Sequence, residues 1–298
     1  MRRVGVIGAG LMGTVVTKRL LAAGFEVLVY DLDATKREAI GRIGAKAEPT
    51  AGVVIAGCEI NVLCVFDTDQ VEDVIAGPGG GVDAIAQGGT GARTFVVTST
   101  CDPDRLASLA ARVAQQGAHV LEMPISGTSR QVENGDGVGL VGGDREVARR
   151  AAEVLDAICA RRHYIGDVGH GSRAKLAVNL ILGLNRAALA EGLVFATRLG
   201  LDPVAFLEVA RGSAAHSQVM DVKGDLMANR EYRPPQSRVD QSLKDFSLML
   251  DQARAKGQDL PFAAVYARMM EDCIAHGEAE WDNAAIAEAI GRRGNGRP

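Results

Sequence analysis

The sequence predicts an α/β protein in two parts, a doubly wound parallel sheet followed by an all-helical segment. Three observations carry this. A short β-branched run at residues 4–7 passes directly into Gly8-Ala9-Gly10-Leu11-Met12-Gly13 and then into a helical pattern. Short apolar runs then alternate with helical segments to about residue 165, the pattern of parallel strands with helices on both faces. After Gly171 strand-like runs stop, and helical periodicity dominates to about Ile290. At about 150 residues per domain, 298 residues fit two domains, expected at 1–165 and 166–298.

In order, strands are expected at residues 4–7, 26–30, 59–65, 94–98 and 119–122, and the first helix at 14–23, closed by Gly24. Gly77-Pro78-Gly79-Gly80-Gly81 and Gly88-Gly89-Thr90-Gly91 read as surface turns. A long helix at 173–199 is expected to act as a spine between the domains. Pro203, Pro234, Pro235 and Pro261 each fall near a plausible helix start, and the polar tail 291–298 reads as mobile.

Composition narrows the function classes. Hydrophobic residues at 47% and charged residues at 23% exclude a disordered, collagen-like or coiled-coil chain, and aromatics at 4% leave the interior to aliphatic side chains. A formal net charge of −4 gives no footprint for nucleic acid or an anionic membrane. Five cysteines without CxxC or CxxH spacing indicate neither a disulfide framework nor a zinc site and suit a reducing cytoplasm. The longest apolar stretch, 176–196, is broken by Asn179, Asn185, Arg186 and Glu191, which argues against a membrane span. Met1-Arg2-Arg3 imitates a secretory signal, but the strand, glycine turn and helix behind it are the better account.

The glycine turn has the spacing that binds a dinucleotide pyrophosphate at a helix N-terminus. Gly8 permits the tight turn, Gly10 lets backbone approach the phosphates, and Gly13 lets helix pack on strand. Asp31, at the end of the second strand, can accept hydrogen bonds from both ribose hydroxyls of NAD and would repel the extra phosphate of NADP. NAD is therefore expected over NADP, with nearby Arg37 keeping NADP possible. Farther on, Gly166-Asp-Val-Gly169-His-Gly171-Ser-Arg-Ala-Lys175-Leu-Ala-Val-Asn179 opens the long helix. Lys175 and Asn179, four apart, share one helical face behind a glycine-rich approach that would let a ligand come close. A lysine shielded from water loses part of its proton affinity and can exchange a proton with an alcohol or carbonyl oxygen. A surface lysine beside a capping asparagine is the equal alternative on this local pattern.

These residues resemble the β-hydroxyacid dehydrogenases over nearly the whole chain. Gly8-x-Gly10-x-Met12-Gly13 looks like the family's cofactor signature, with Leu11 between. Gly166 to Asn179 fits its catalytic pattern GxxGxGxxxKxxxN at every specified position. Lys244-Asp245-Phe246 resembles its KDL element, and Ser99-Thr100-Cys101-Asp102-Pro103 its ST-x-x-P turn. The resemblance implies a Rossmann-type domain, an all-helical domain and an active site in the cleft between them. It implies Lys175 as proton donor and acceptor on the substrate oxygen, with Asn179 holding the substrate beside it. Val65 and Phe66 would cover the nicotinamide half of the cofactor, with Gln70, also counted as cofactor-binding, on the helix that follows; Thr100 would sit by the nicotinamide ribose, and Lys244 would reach the cofactor from the helical domain. Glu122-Met-Pro124-Ile-Ser126-Gly127-Thr128 looks like the substrate motif D-A-P-V-S-G-G, so Ser126 and Gly127 would offer donors to a hydroxy acid's carboxylate. A homodimer or homotetramer built through the helical domain is also implied.

Three departures fall where the substrate is read. Thr128 replaces the motif's second glycine, Ser237 stands near the position where a phenylalanine usually lines the pocket, with Arg238 and Gln241 nearby, and His216 lies in a loop of this region. Together they suggest a more polar or differently sized pocket. Cys64 reads as a small buried hydrophobe, and Arg161, Arg162, Arg292 and Arg293 as solvated. An imine reductase-like enzyme and a catalytically silent cofactor-binding module are the alternatives. The intact Lys175–Asn179 pattern disfavours both.

Overall fold

The computed structural model describes residues 2–86 and 93–293. The second glycine-rich turn, 88–91, and the end of the tail, 294–298, lie outside the described residues. Two compact units divide the chain, 1–175 and 176–298.

Among the described residues the first unit holds nine strands: β1 (Arg3–Ile7), β2 (Glu26–Tyr30), β3 (Lys46–Ala47), β4 (Ile60–Leu63), β5 (Arg93–Val97), β6 (Ala118–Glu122), β7 (Ile125–Ser126), β8 (Val138–Gly142) and β9 (Arg161–Gly166). Between them run α1 (Leu11–Ala22), α2 (Ala34–Arg42), α3 (Ala51–Gly57), α4 (Thr68–Ala76), α5 (Gly81–Ala86), α6 (Pro103–Ala114), α7 (Ser129–Glu133), α8 (Arg145–Arg150) and α9 (Ala152–Ile158). The sheet order is β3-β2-β1-β4-β5-β6-β8-β7, with β9 also paired to β8. The first six strands in that order are all parallel, so the chain reverses between β1 and β4 as a doubly wound sheet requires. Beyond β6 the sheet is mixed. β8 pairs antiparallel with both β6 and β7, and parallel with β9.

Alternation along the strands shows why both faces are covered. Val27 and Val29 of β2 and Val96 of β5 join one buried cluster with Val16 and Leu20 of α1. Leu28, Phe95 and Val97 point the other way, into a cluster with Val54 of α3, Val71 of α4 and Leu106 of α6. A strand buried on both faces reads as a continuous apolar run, which is why β1, β2, β4 and β5 are visible in the sequence. The four strands outside the expected set lack that signal. β3 and β7 have two residues each, β8 is Val-Gly-Leu-Val-Gly, and β9 alternates exposed and half-buried.

One long helix, α10 (His170–Arg198), leads into the second unit's α11 (Pro203–Arg211), α12 (Gln218–Ala228), α13 (Val239–Ala255), α14 (Pro261–Ala275) and α15 (Ile286–Arg293). Pro203 and Pro261 open α11 and α14, where a missing N–H costs nothing. Pro234 and Pro235 open no helix; they lie in the loop before α13, and the Arg233–Pro234 bond is cis. By length and composition α10 would suit a membrane, yet its Leu189, Ala190 and Leu193 are buried in the helical core with Leu207, Phe246 and Met270. Phe246 and Tyr266 stack at 3.9 Å, and Gly183 on α10 admits them, since a Cβ there would lie 2.4 Å from the Phe246 ring. The sequence pattern puts the domain boundary near residue 165, before the helix. Packing groups the first turn of α10 with the sheet, because that turn is hydrogen-bonded to Glu122 of β6.

Candidate active site

The glycine turn divides its three glycines by task. Gly8 has φ +95°, and a Cβ on it would lie 2.5 Å from the Cys64 carbonyl oxygen; one on Gly13 would lie 1.9 Å from the Gly8 oxygen. Both are therefore required by the protein's own packing. Gly10 meets nothing within 4 Å, so its missing side chain leaves open space at the N-terminus of α1. That N-terminus has no side-chain cap and no acidic residue in its first turn, where Leu11 is exposed and Met12 half-buried. Helix amides left this way favour an anion, and the turn fits a pyrophosphate.

Asp31 follows β2 directly, and its carboxylate faces the same turn. Oδ2 accepts from the Ala9 N–H at 2.6 Å and Oδ1 from the Asp33 N–H at 2.9 Å. Arg37 donates to the backbone oxygens of Asp31 at 2.6 Å and Leu32 at 3.0 Å and lies 5.8 Å from the centre of the Tyr30 ring. Its guanidinium is thus engaged beside the carboxylate.

Side chains from two parallel strands shape the next edge of the site. Thr98 donates to the Leu63 oxygen at 2.8 Å, and Ser99 to the Val65 oxygen at 2.7 Å, tying the end of β5 to the loop after β4. In that loop the Phe66 N–H donates to the Gln70 side-chain oxygen at 2.8 Å, which folds residues 66–70 back on themselves, and Phe66 is 39% exposed. Thr100 is buried at the start of the next turn. The structure thus brings the glycine turn, Asp31, Val65, Phe66, Gln70 and Thr100 to the carboxyl ends of β1, β2, β4 and β5.

The third element is the segment after β6. Gly127 has φ +139°, a conformation that side chains rarely adopt, so the Ser126–Gly127 backbone is shaped by the glycine. Thr128 is the N-cap of α7: its hydroxyl accepts from the Gln131 N–H at 3.3 Å while the Gln131 side chain accepts from the Thr128 N–H at 2.9 Å. The extra hydroxyl at this position thus has a structural task, the reciprocal capping of a short helix. Lys175 is buried, and its Nζ donates to the Ile125 backbone oxygen at 2.6 Å.

The glycines ahead of Lys175 are required by the protein's own packing. A Cβ at Gly171 would lie 2.5 Å from the Leu140 oxygen, one at Gly169 2.8 Å from the Pro103 oxygen, and one at Gly166 3.1 Å from the His170 ring. This spacing lets the start of α10 sit against β8 and the first turn of α6.

Within the second unit, Asn179 Nδ2 donates to Asp245 Oδ2 at 2.9 Å, and the Lys244 ammonium lies 3.0 Å from Asp245 Oδ1. Of the departures noted above, His216 is exposed and 3.0 Å from Asp221, and Arg238 pairs with Asp240. Ser237 is held through its backbone, its N–H donating to Asp282 at 3.3 Å and its oxygen accepting from the Asn283 N–H at 2.8 Å. Arg292 is not simply solvated, since it clamps Asp272 and Glu278 together. Burial pushes the Cys58 and Cys273 thiols up to about 12 and those of Cys64 and Cys159 up to about 11, which removes them as nucleophiles. Two residues carry more of the site than their motifs suggest, Glu122 and Asp245. Each stands inside a quoted motif, but neither the buried cap nor the amide contact is encoded in spacing.

Residues 3–166 match the family described as the NAD binding domain of 6-phosphogluconate dehydrogenase, and residues 169–290 the NAD-binding region of NADP-dependent 3-hydroxyisobutyrate dehydrogenase. The chain is 30% identical to 2-hydroxy-3-oxopropionate reductase of Escherichia coli, covering 97% of both chains. It is also 30% identical to glyoxylate/succinic semialdehyde reductase 2 of Arabidopsis thaliana, over 96% of this chain and 79% of that one. The crystal structure of a 3-hydroxyisobutyrate dehydrogenase from Salmonella typhimurium superposes with a TM-score of 0.87 at 25% identity, covering 97% of this chain and 99% of that one.

Proposed function

We propose, from the premise that this chain belongs to the β-hydroxyacid dehydrogenases, a family of oxidoreductases that use a nicotinamide cofactor, that it interconverts a small 3-hydroxy acid and its semialdehyde or keto acid. The observation that carries the reading is the buried Lys175 ammonium, 2.6 Å from the Ile125 oxygen and thus next to the Ser126–Gly127 segment. Two relatives are named as reductases of aldehydes that bear a carboxylate or its equivalent, which supports an acid as substrate.

The glycine turn and Asp31 would hold the cofactor, whose nicotinamide supplies a hydride acceptor or, when reduced, a donor. Ser126 and Gly127 bind and orient the substrate carboxylate. Lys175, as the neutral amine, takes the proton of the substrate hydroxyl as the carbon gives up its hydride, and the carbonyl forms; in reduction the ammonium returns that proton to the oxygen. Asn179, one helical turn along α10, holds the same oxygen. Asp31 supports NAD over NADP, because a carboxylate there accepts from ribose hydroxyls and repels a phosphate. A homo-oligomer through the helical unit is also proposed, supported by apolar side chains in the open, with Phe195 62%, Val209 67% and Phe262 72% exposed.

The test is nicotinamide absorbance with a panel of hydroxy acids, semialdehydes and cyclic imines, run with both cofactors. Turnover of hydroxy acids or semialdehydes with a higher kcat/KM for NAD is expected. Reduction of imines alone, or cofactor binding without turnover, overturns the reading, and a clear preference for NADP overturns the role given to Asp31.

A further inference from the structure

Glu122 ends β6 with no exposed surface, and its carboxylate belongs to none of the steps above. Burial pushes its carboxyl above the usual carboxylate range, against the pull of four donors. Oε1 accepts from the N–H groups of Gly169 at 2.6 Å and Gly171 at 2.8 Å. Oε2 accepts from the Ser172 N–H at 3.0 Å and the Ser172 hydroxyl at 2.5 Å. These are amides of the first turn of α10 and of Gly169 just before it, which have no partner within the helix, and negative charge is favoured at that end. Room for the carboxyl group comes from glycine on both sides. A Cβ at Gly142 would lie 2.4 Å from Oε1, and one at Gly171 3.1 Å from Cδ.

Three residues after Glu122, the Ile125 oxygen accepts from Lys175. The segment 122–126 thus holds α10 twice, at its first turn through Glu122 and at the next through Ile125. We infer that Glu122 is a positioning residue for Lys175: by claiming the first-turn amides it fixes the rotation and axial position of α10 against residues 125–127. It thereby sets where the Lys175 nitrogen stands beside the substrate-binding segment. The inference rests on the reading of Lys175 as proton donor and acceptor. Gln in place of Glu122 keeps the shape but turns an NH2 toward backbone N–H donors, leaving part of the turn without acceptors. Asp keeps the charge and falls one methylene short.

The experiment is single-turnover hydride transfer, with cofactor affinity measured alongside, for wild type, E122Q and E122D, each also combined with K175A. E122Q is expected to slow transfer by about tenfold or more while cofactor affinity stays within about threefold, and E122D to recover part of the loss. In the K175A background E122Q is expected to change the rate by less than about twofold, because no amine remains to be positioned. Equal losses in both backgrounds, or no loss in wild type, overturn the inference. If E122Q does not fold, S172A, which deletes only the hydroxyl contact, and E122D carry the same comparison. K175A alone reports on the Lys175 reading: a rate within about threefold of wild type overturns that reading and this one with it, whereas a large K175A loss with equal E122Q losses overturns this one only.

Discussion

The side-chain amide of Asn179 is held by Asp245, with Nδ2 donating to Oδ2 at 2.9 Å. An ionised carboxylate only accepts, so the contact fixes which end of the amide is which. One N–H of Nδ2 is engaged by Asp245, which leaves the second N–H and the carbonyl oxygen, in a fixed orientation, for the substrate oxygen. An amide at position 245 accepts equally well through one end and donates through the other, so D245N releases the constraint. Exchanging a charged acceptor for a neutral one costs about 1–1.5 kcal/mol, so kcat/KM is expected to fall by about fivefold to tenfold. Steady-state kinetics with an unchanged far-UV spectrum checks it, and an unaltered kcat/KM contradicts it.

Gly10 and Gly13 are expected to respond oppositely to one added methyl group. Gly13→Ala forces a Cβ onto the Gly8 oxygen at 1.9 Å, which backbone cannot avoid without moving. It should lower the melting temperature by several degrees, a cost of about 1–3 kcal/mol. At Gly10 the methyl enters open space, so G10A should melt with the wild type and bind the cofactor at least about tenfold more weakly. Equal melting temperatures for the two variants, or wild-type cofactor affinity in G10A, would show that the division of tasks is wrong.

In the second unit Lys223, 3% exposed, lies 2.7 and 2.8 Å from the two oxygens of Asp282, which is itself fully buried. Asp282 also accepts from the N–H groups of Gln236 at 2.8 Å and Ala284 at 3.0 Å. D282N leaves the ammonium without its charge partner and should cost about 3–5 kcal/mol in urea unfolding. Burial pulls the Lys223 pKa from 10.5 down to about 8, with Asp282 opposing and Arg186 adding to the shift. The folded protein therefore releases this proton before the unfolded chain does. The group's contribution to stability is lowest below about 8 and rises with pH through the window from about 8 to 10.5. The stability of wild type minus that of K223M should increase across that window; a flat or falling difference contradicts the assignment.

The parallel half of the sheet is legible in the sequence because strands buried on both faces must be apolar throughout, as in Val27-Leu28-Val29 and Phe95-Val96-Val97. The glycine turn and Asp31 are legible because their spacing is dictated by backbone geometry. β8 and β9 are not, since glycine and arginine in those strands are tolerated only by neighbours that the sequence does not name. The same limit applies to the site. Lys175 and Asn179 follow from a pattern, whereas Glu122 meets Gly169 through contact across 47 residues, and Asn179 meets Asp245 across 66. The glycines of that pattern illustrate the difference: their places are plain, but their task is to seat the helix.

Proton transfer by Lys175 is the centre of the account, and the rate of the chemical step in K175A tests it most directly. Single-turnover hydride transfer at saturating cofactor and substrate should fall by about 10²–10⁴, the range that general acid–base catalysis supplies, with cofactor affinity unchanged. A rate within about threefold of wild type would contradict it.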